Sequence, residues 1–102
     1  MTEQSFSQEN SYVFVSPLRA KANTEEKIRT TVFLLNNQGL GVSNTAVLFT
    51  TNPKLNVDIV QGVTDSYGKA VFDISSEAAG EFYLEFIVNK KSLLQKAHLS
   101  FY

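Results

Sequence analysis

The sequence predicts an all-β domain, a two-sheet sandwich of seven antiparallel strands, and three observations support this fold class. Short runs rich in Val, Ile, Phe, Tyr and Thr recur along the chain between turn residues such as Gly, Asn and Asp. Within these runs apolar residues alternate with others, as Ala70, Phe72 and Ile74 do, which is the side-chain period of a strand. Few apolar residues follow a helical spacing of about 3.6 residues. Seven strands at this spacing are typical of a sandwich.

The first predicted strand differs from the others because it contains Pro17. Proline cannot donate a hydrogen bond to a strand ladder, so this strand is predicted to lie at a sheet edge, to break, and to change sheets. The predicted strands span residues 12 to 20, 28 to 35, 45 to 51, 56 to 61, 69 to 75, 81 to 89 and 93 to 101. Tight connections are predicted at 36 to 41 and 89 to 91.

The turn before the fifth strand has the clearest local signal. Asp65 can accept hydrogen bonds from backbone N–H groups that follow it, and Gly68 can adopt a positive φ without a Cβ clash. The sequence therefore predicts an Asx-type turn that opens the strand at Lys69. The predicted core consists of alternating apolar residues from four strands: Val32, Leu34, Val47, Phe49, Phe72, Ile74, Phe82, Leu84 and Phe86.

The length of 102 residues predicts one compact domain. Residues 1–11 contain Phe6 as the one large apolar side chain besides Met1, among Ser, Gln, Glu and Asn. This composition predicts a flexible lead-in or linker at 1–11, followed by a folded domain at 12–102.

Charge and composition narrow the function classes. Nine Lys and Arg stand against ten Asp and Glu, so the chain lacks the excess positive charge that binds nucleic acid. It has no cysteine, and no apolar run approaches the roughly 18 residues of a membrane helix. The first ten residues show no export signal, so either the chain stays in the cytoplasm or it is a segment of a larger exported protein. We expect no nucleic-acid partner and no membrane insertion.

Residues that could support catalysis or metal binding are scattered. The single histidine, His98, has no second histidine or carboxylate at ligand spacing, so it is predicted to be an ordinary surface residue of the last strand. Asp58, Asp65 and Asp73 lack the Asp-x-Asp spacing of a calcium loop and are predicted to lie in turns and on strand surfaces. We expect no enzymatic activity, no cofactor and no metal site.

A series of turn and strand motifs between residues 28 and 101 has a recognisable order and spacing. A strand ends at Leu34-Leu35-Asn36, and Gly39, Val42 and the alternating Val47-Leu48-Phe49 follow. Thr64, Asp65, Gly68 and Ala70 then form a Thr-Asp-x-x-Gly-x-Ala turn, and Ala79-Gly80 precedes the next strand. This series resembles the bacterial immunoglobulin-like domains of the invasin and intimin type. The chief departure is Gly41, where that family usually has proline before the valine.

The resemblance implies an immunoglobulin-like sandwich that acts as a non-enzymatic spacer or adhesive unit of a bacterial surface or extracellular protein. Its partners would be proteins: neighbouring domains, its own copies or a host receptor. The alternative is a self-assembling structural subunit joined through outer apolar faces or through the N-terminal segment. A carbohydrate-binding accessory domain is less favoured, because the chain has no tryptophan.

The pattern of the family also places five large side chains on outer faces. If Val32 and Leu34 point into the core, the strand pleat turns Phe33 and Leu35 outward. The same reasoning applied to the other strands gives Leu48, Tyr83 and Ile87 as outward residues. These five are the candidate protein-contact residues, although ordinary apolar scatter on a protein surface is the alternative. The opposite register would bury Phe33 but expose Val32 and Leu34.

Overall fold

The computed structural model describes residues 6–102, which fold into a two-layer sandwich. Every regular element in this part of the chain is a strand: β1 Tyr12–Ser16, β2 Arg19–Ala20, β3 Ile28–Phe33, β4 Leu48–Phe49, β5 Leu55–Gln61, β6 Lys69–Ser76, β7 Gly80–Leu84, β8 Phe86–Val88, β9 Lys91–Ser92 and β10 Ala97–Phe101. The predicted all-β class is confirmed. Within residues 6–102 no helix is long and apolar enough to cross a membrane.

One layer, which we call sheet one, has the order β1-β3-β6-β5 with every pair antiparallel. The other layer, sheet two, consists of β2-β10-β7 and β4-β8-β9. These two groups are continuous, because only Glu85 separates β7 from β8. The carbonyl of Glu85 accepts a hydrogen bond of 3.0 Å from the backbone N–H of Thr50, just after β4.

The first predicted strand breaks at Pro17 and changes sheets, as the sequence predicts. Its first half, β1, pairs antiparallel with β3 in sheet one. Its second half, β2, pairs with β10 in sheet two. The β2–β10 pair is parallel and so departs from the expected antiparallel pairing, because a strand that crosses between layers keeps its direction.

The described part of the chain contains ten short strands where seven longer ones were predicted, because two predicted strands are divided and one further strand forms. Pro17 divides the first predicted strand, Glu85 divides the sixth, and β9 at Lys91–Ser92 precedes the seventh predicted strand. The β8–β9 hairpin turn is shorter than predicted, because Lys91 already pairs with Val88. Asn89 and Lys90 form the turn with φ angles of 50° and 66°, the positive values that suit a two-residue hairpin.

The core lies between the two sheets and centres on Phe72. The Phe72 ring packs against Phe86 with a centroid distance of 5.3 Å and against Phe49 at 5.5 Å. Seven of the nine predicted core residues are buried, while Phe49 and Phe82 are half-buried at the margin of the core. Val32 and Leu34 are both fully buried, so the register of β3 is the one that the family pattern implies.

The turn before β6 forms as predicted. Oδ1 of Asp65 accepts backbone hydrogen bonds from Tyr67 at 2.9 Å and Lys69 at 3.0 Å, and Gly68 has a φ of 78°. These N–H donors, Lys69 foremost, lower the pKa of Asp65. The turn packs closely on Gly41, because a Cβ built on Gly41 would lie 2.3 Å from the carbonyl carbon of Tyr67. Gly41, which stands where the family usually has proline, thus lies at a position where the backbone leaves no room for a side chain.

Residues 6–11, which we call the N-terminal strap, contact the ends of both sheets. Phe6 packs against the core, and the N–H of Ser7 donates to the carbonyl of Leu35 at 2.7 Å. The side-chain amide of Gln8 donates to the carbonyl of Ser92 at 2.6 Å. The strap belongs to the lead-in predicted at 1–11; residues 1–5 lie outside the described part, and the boundary at residue 12 stays a prediction.

The strap and the C-terminal residue lie at opposite ends of the sandwich. The strap contacts Leu35, close to the point where Phe33 pairs with Lys69 at the start of β6. The carbonyl of Tyr102 accepts a hydrogen bond from Ala22, and the neighbouring 23–24 segment reaches the carbonyl of Ser76 at the end of β6. At about 3.3 Å per residue, the length of β6 separates these two ends by roughly 23 Å.

Candidate protein-contact surfaces

The structure divides the five predicted contact residues between two opposite faces. Phe33 lies on the outer face of sheet one, and Leu35 follows the end of that strand. Leu48, Tyr83 and Ile87 lie on the outer face of sheet two. They therefore form two separate candidate surfaces.

The first surface, the aromatic face of sheet one, is built by β1 and β3. The register pairs Phe33 with Tyr12, and their rings stack with centroids 4.8 Å apart and planes 21° apart. Phe14, two residues along β1 on the same face, is 58% exposed. Phe33 itself is half-buried because Tyr12 covers it. Sequence reasoning missed Tyr12 and Phe14, although their alternation with Val13 and Val15 signals an outward pair.

Leu35 is less available than the sequence predicts, because the N-terminal strap lies across it. Its backbone N–H donates to Oγ of Ser11 at 3.0 Å, and its carbonyl accepts from the N–H of Ser7. The side chain of Leu35 is half-buried. Its predicted role as a contact residue therefore depends on where the strap lies.

The second surface, the apolar end of sheet two, contains Leu48 and Ile87. They are direct cross-strand partners between β4 and β8. Leu48 is 61% exposed, while Ile87 is half-buried. Neighbouring apolar side chains on one outer face form a small patch that association would bury.

Tyr83 lies on the same face, four residues from Ile87, in a polar setting. Its ring stacks on His98, its cross-strand partner in β10, with centroids 4.7 Å apart and planes 11° apart. Tyr83 is 62% exposed, so one face of its ring stays open to solvent. The stack fixes the ring, which reduces the side-chain entropy that a binding partner would have to remove.

The carboxylate of Glu81, two residues before Tyr83 in β7, holds the His98 ring in place. Nε2 of His98 lies 2.8 Å from Oε1 of Glu81, and the Ser100 hydroxyl donates to Oε2 of Glu81 at 2.6 Å. The Ser100 bond, followed by the His98 bond, lowers the pKa of Glu81. Serine and histidine both bind the carboxylate, so this trio lacks the serine–histidine contact of a nucleophile and its base. Sequence reasoning identified His98 as a surface residue but missed this cluster.

Two ion pairs occupy the outer face of sheet one, beyond the aromatic residues. Arg29 and Asp73 are cross-strand partners joined by two hydrogen bonds of 2.9 and 3.0 Å. Lys27 pairs with Asp58. Within residues 6–102 no three acidic, histidine or cysteine side chains converge as metal ligands. Asp58 and Asp73 therefore form ion pairs, and Asp65 accepts hydrogen bonds within its turn.

Comparisons with known proteins agree on the fold. A family model described as bacterial Ig-like domain (group 1) matches residues 10–102. No curated protein matches the chain. Among solved structures, invasin, described as a bacterial integrin-binding protein, superimposes with a TM-score of 0.83 at 15% identity over 95% of this chain. InvD of Yersinia pseudotuberculosis gives a TM-score of 0.80 at 12% identity over 95% of this chain.

The D00–D0 domain structure of intimin gives a TM-score of 0.72 at 16% identity over 98% of this chain. At these identities the likeness concerns the fold. The chain covers 20% of the invasin structure, 29% of InvD and 48% of the intimin structure. It therefore spans less than half the length of these structures.

Proposed function

The chain belongs to the bacterial Ig-like domain (group 1) family, and we propose that it is a non-enzymatic module of a bacterial surface or extracellular protein, acting as a spacer between other domains. The observation that carries this proposal is the position of the chain ends. The N-terminal strap and Tyr102 lie at opposite ends of the sandwich, on either side of β6. A module of this geometry can be joined to others without folding back on them.

The relatives support the surface location. Invasin and InvE, described respectively as an integrin-binding protein and an adhesin, contain this fold as a fraction of a longer chain. If the module is an adhesive unit, it contacts a host receptor. The apolar end of sheet two and the neighbouring Tyr83 would be its contact surface, because they combine exposure with a fixed aromatic ring.

End-to-end copies test the spacer role. Two and three copies are joined through their own ends, and small-angle X-ray scattering measures the maximum dimension of each. A spacer gives a constant increase per added copy. Copies joined by a long Gly/Ser linker are the control, because such a linker behaves as a flexible coil and gives a smaller, irregular increase. Direct joins that behave like the flexible control would contradict the proposal.

The second candidate is a self-assembling subunit, and one observation favours it. Leu48, which is exposed, and Ile87, which is half-buried, form an apolar pair on the outer face of sheet two, separate from the aromatic face of sheet one. Two apolar surfaces on opposite faces would allow copies to associate side by side. The oligomeric state of the isolated domain distinguishes this candidate from the spacer.

A further inference from the structure

Two tyrosine rings lie on the outer face of sheet two, at different points along the strand direction. Tyr83 is the cross-strand partner of His98, and Tyr102 lies on the same face beyond His98, from 98 to 102. At about 3.3 Å per residue, the two rings are attached roughly 13 Å apart along the strands. Tyr83 is 62% exposed and Tyr102 is 57% exposed. This face therefore presents two separate aromatic rings to solvent.

A polar side chain holds each ring from one side. The ring of Tyr83 stacks on His98, which lies in β10. The guanidinium of Arg19, in β2, lies 4.6 Å from the ring centroid of Tyr102, within the range of a cation–π interaction. Because the strand order is β2-β10-β7, both polar groups approach their tyrosine from the β2 side of the sheet. Both tyrosines are thus held in a defined orientation, with the opposite ring face open.

The row of side chains between the two tyrosines forms hydrogen bonds. The strand register places Glu81, Ser100 and Arg19 side by side across β7, β10 and β2. The Ser100 hydroxyl and then the His98 ring lower the pKa of Glu81, so its carboxylate is ionised at neutral pH. The side chains of Glu81 and His98 are 56% and 51% exposed. A ligand that lies across both rings therefore meets accessible hydrogen-bonding groups, in which the charges of Glu81 and Arg19 balance.

These features favour a neutral ligand that is both apolar and rich in hydrogen-bonding groups. The core of a protein–protein interface is depleted of charged residues, and apolar side chains placed over Glu81 would bury its carboxylate without new partners. The same carboxylate would repel an anionic ligand. A sugar ring has an apolar C–H face that packs on an aromatic ring, and its hydroxyl groups both donate and accept hydrogen bonds. An oligosaccharide repeats this combination along its length.

We propose that the outer face of sheet two binds a neutral oligosaccharide of a host-cell surface, with one sugar ring on Tyr83, another on Tyr102, and hydroxyl groups bonded to the row of Glu81, Ser100 and Arg19. The host source rests on the proposed location at a bacterial surface, whereas the chemistry of the site does not. The separation of the two tyrosines requires more than one sugar. The sequence disfavours carbohydrate binding because it has no tryptophan, but the strand register supplies two oriented tyrosines instead.

A nuclear magnetic resonance titration of the isotope-labelled chain tests the site, with a neutral poly-N-acetyllactosamine hexasaccharide as the probe. We expect shifts in the amide resonances of β7, β10 and Arg19, while those of sheet one stay unchanged. A hexamer of N-acetylglucosamine represents the glycan of a bacterial wall, and a heparin hexasaccharide represents anionic glycans. The absence of shifts at this face with all three probes would overturn the proposal. Tighter binding of the N-acetylglucosamine hexamer would overturn the host source, and tighter binding of heparin would overturn the neutral ligand.

Substitutions assign the binding to the two rings. Tyr83→Ala and Tyr102→Ala should each weaken binding of the poly-N-acetyllactosamine probe by about tenfold, the size of one aromatic contact. Tyr67→Ala is the matched control, because Tyr67 is 77% exposed and lies in the turn before β6. Its affinity for the probe should equal that of the unmodified chain, and denaturant midpoints establish that each variant is folded. An unchanged affinity in Tyr83→Ala or in Tyr102→Ala would overturn the two-ring site.

This experiment and the scattering experiment can fail separately. Binding at the two tyrosines with bent multi-copy chains would contradict the spacer and retain the oligosaccharide site. Extended multi-copy chains that bind none of the three probes would retain the spacer and contradict the oligosaccharide site.

Discussion

Asp58 and Asp73 lie directly opposite each other across the β5–β6 pair. Two carboxylates in this position repel each other, which destabilises a sheet. Each is compensated from a different neighbour, Asp58 by Lys27 and Asp73 by Arg29. The outer face of sheet one therefore tolerates a like-charge pair because two cations at the start of β3 neutralise it.

This arrangement predicts a loss of stability in acid. Arg29 lowers the pKa of Asp73, first through the hydrogen bonds and then through its charge. A carboxyl group with a lowered folded-state pKa stabilises the protein above its unfolded pKa, and this contribution is lost as the pH falls through the folded value. We therefore expect the urea concentration at the unfolding midpoint to decrease as the pH falls below about 4. This decrease should be smaller in Asp73→Asn.

Glu25→Gln is the matched control for this measurement, because Glu25 is exposed and lies outside both ion pairs. Its acid profile should follow that of the unmodified protein. Some acid dependence should persist in Asp73→Asn, because Asp65 and Glu81 also have lowered pKa values. Identical profiles for Asp73→Asn and Glu25→Gln would count against the role of the Arg29–Asp73 pair.

Thr30 should be replaceable with a gain in stability. It is 0% exposed, and its Oγ1 has no hydrogen-bond partner. Valine has nearly the same shape and removes the unsatisfied hydroxyl, so Thr30→Val should raise the free energy of unfolding by about 1 kcal/mol. The neighbouring Thr31→Val, on the half-buried outer side of the same strand, should change it little. Urea denaturation measures both; a destabilised Thr30→Val would show that the hydroxyl is satisfied.

Three glycine substitutions should fall in a definite order. Gly39 has a φ of 79° with nothing near its missing side chain, so Gly39→Ala should cost about 1 kcal/mol. At Gly41 the added Cβ would meet Tyr67, a clash that should cost about 1–3 kcal/mol. Gly68 combines a positive φ with a Cβ only 2.1 Å from the carbonyl oxygen of Leu34. Gly68→Ala should therefore be the most destabilising in thermal or chemical denaturation, and the reverse order would refute the packing argument.

The core assignment is tested by two phenylalanines that differ in burial. Phe86 is 0% exposed and packs on Phe72, so Phe86→Ala should lower the free energy of unfolding by about 3–5 kcal/mol. Phe14 is 58% exposed, and the same substitution there should have a much smaller effect. Similar denaturant midpoints for the two variants would be incompatible with a core centred on Phe72.

Sedimentation separates the spacer from the self-assembling subunit. A spacer should sediment as a monomer at high micromolar concentration. An assembling subunit should form oligomers that dissociate in Leu48→Ser with Ile87→Ser, because these changes remove the apolar end of sheet two. Phe14→Ser is the matched control on the aromatic face of sheet one. Dissociation in Phe14→Ser alone would instead assign the assembly to that aromatic face.

Local sequence patterns predicted those parts of the fold that neighbouring residues determine. The turn from Asp65 to Gly68 uses hydrogen bonds and a φ angle within four residues, and Pro17 acts on its own strand. The contact surfaces depended on pairing between distant strands. Stacking of Tyr12 on Phe33 requires the register of β1 on β3, which alternation within either strand does not specify.

The same limit applies to the polar cluster on sheet two. Glu81 and Tyr83 alternate outward on β7, and His98 and Ser100 do so on β10, so each pair follows from the strand period. Their contact depends on the alignment of two strands that lie far apart along the chain. The predicted binding role of Phe33, Leu35, Leu48, Tyr83 and Ile87 stays a prediction.

The pairing of β2 with β10 also constrains the order of folding. Arg19 and Ser100 are 81 positions apart, from 19 to 100, so this edge of sheet two closes only when nearly the whole domain is available. The neighbouring β1–β3 pair needs a much shorter loop. A ribosome or a secretion channel releases the chain gradually. The β1–β3 pair can therefore form before β10 is available to pair with β2. Sheet closure over such sequence distances is slow, on the order of milliseconds to seconds for β-sandwiches.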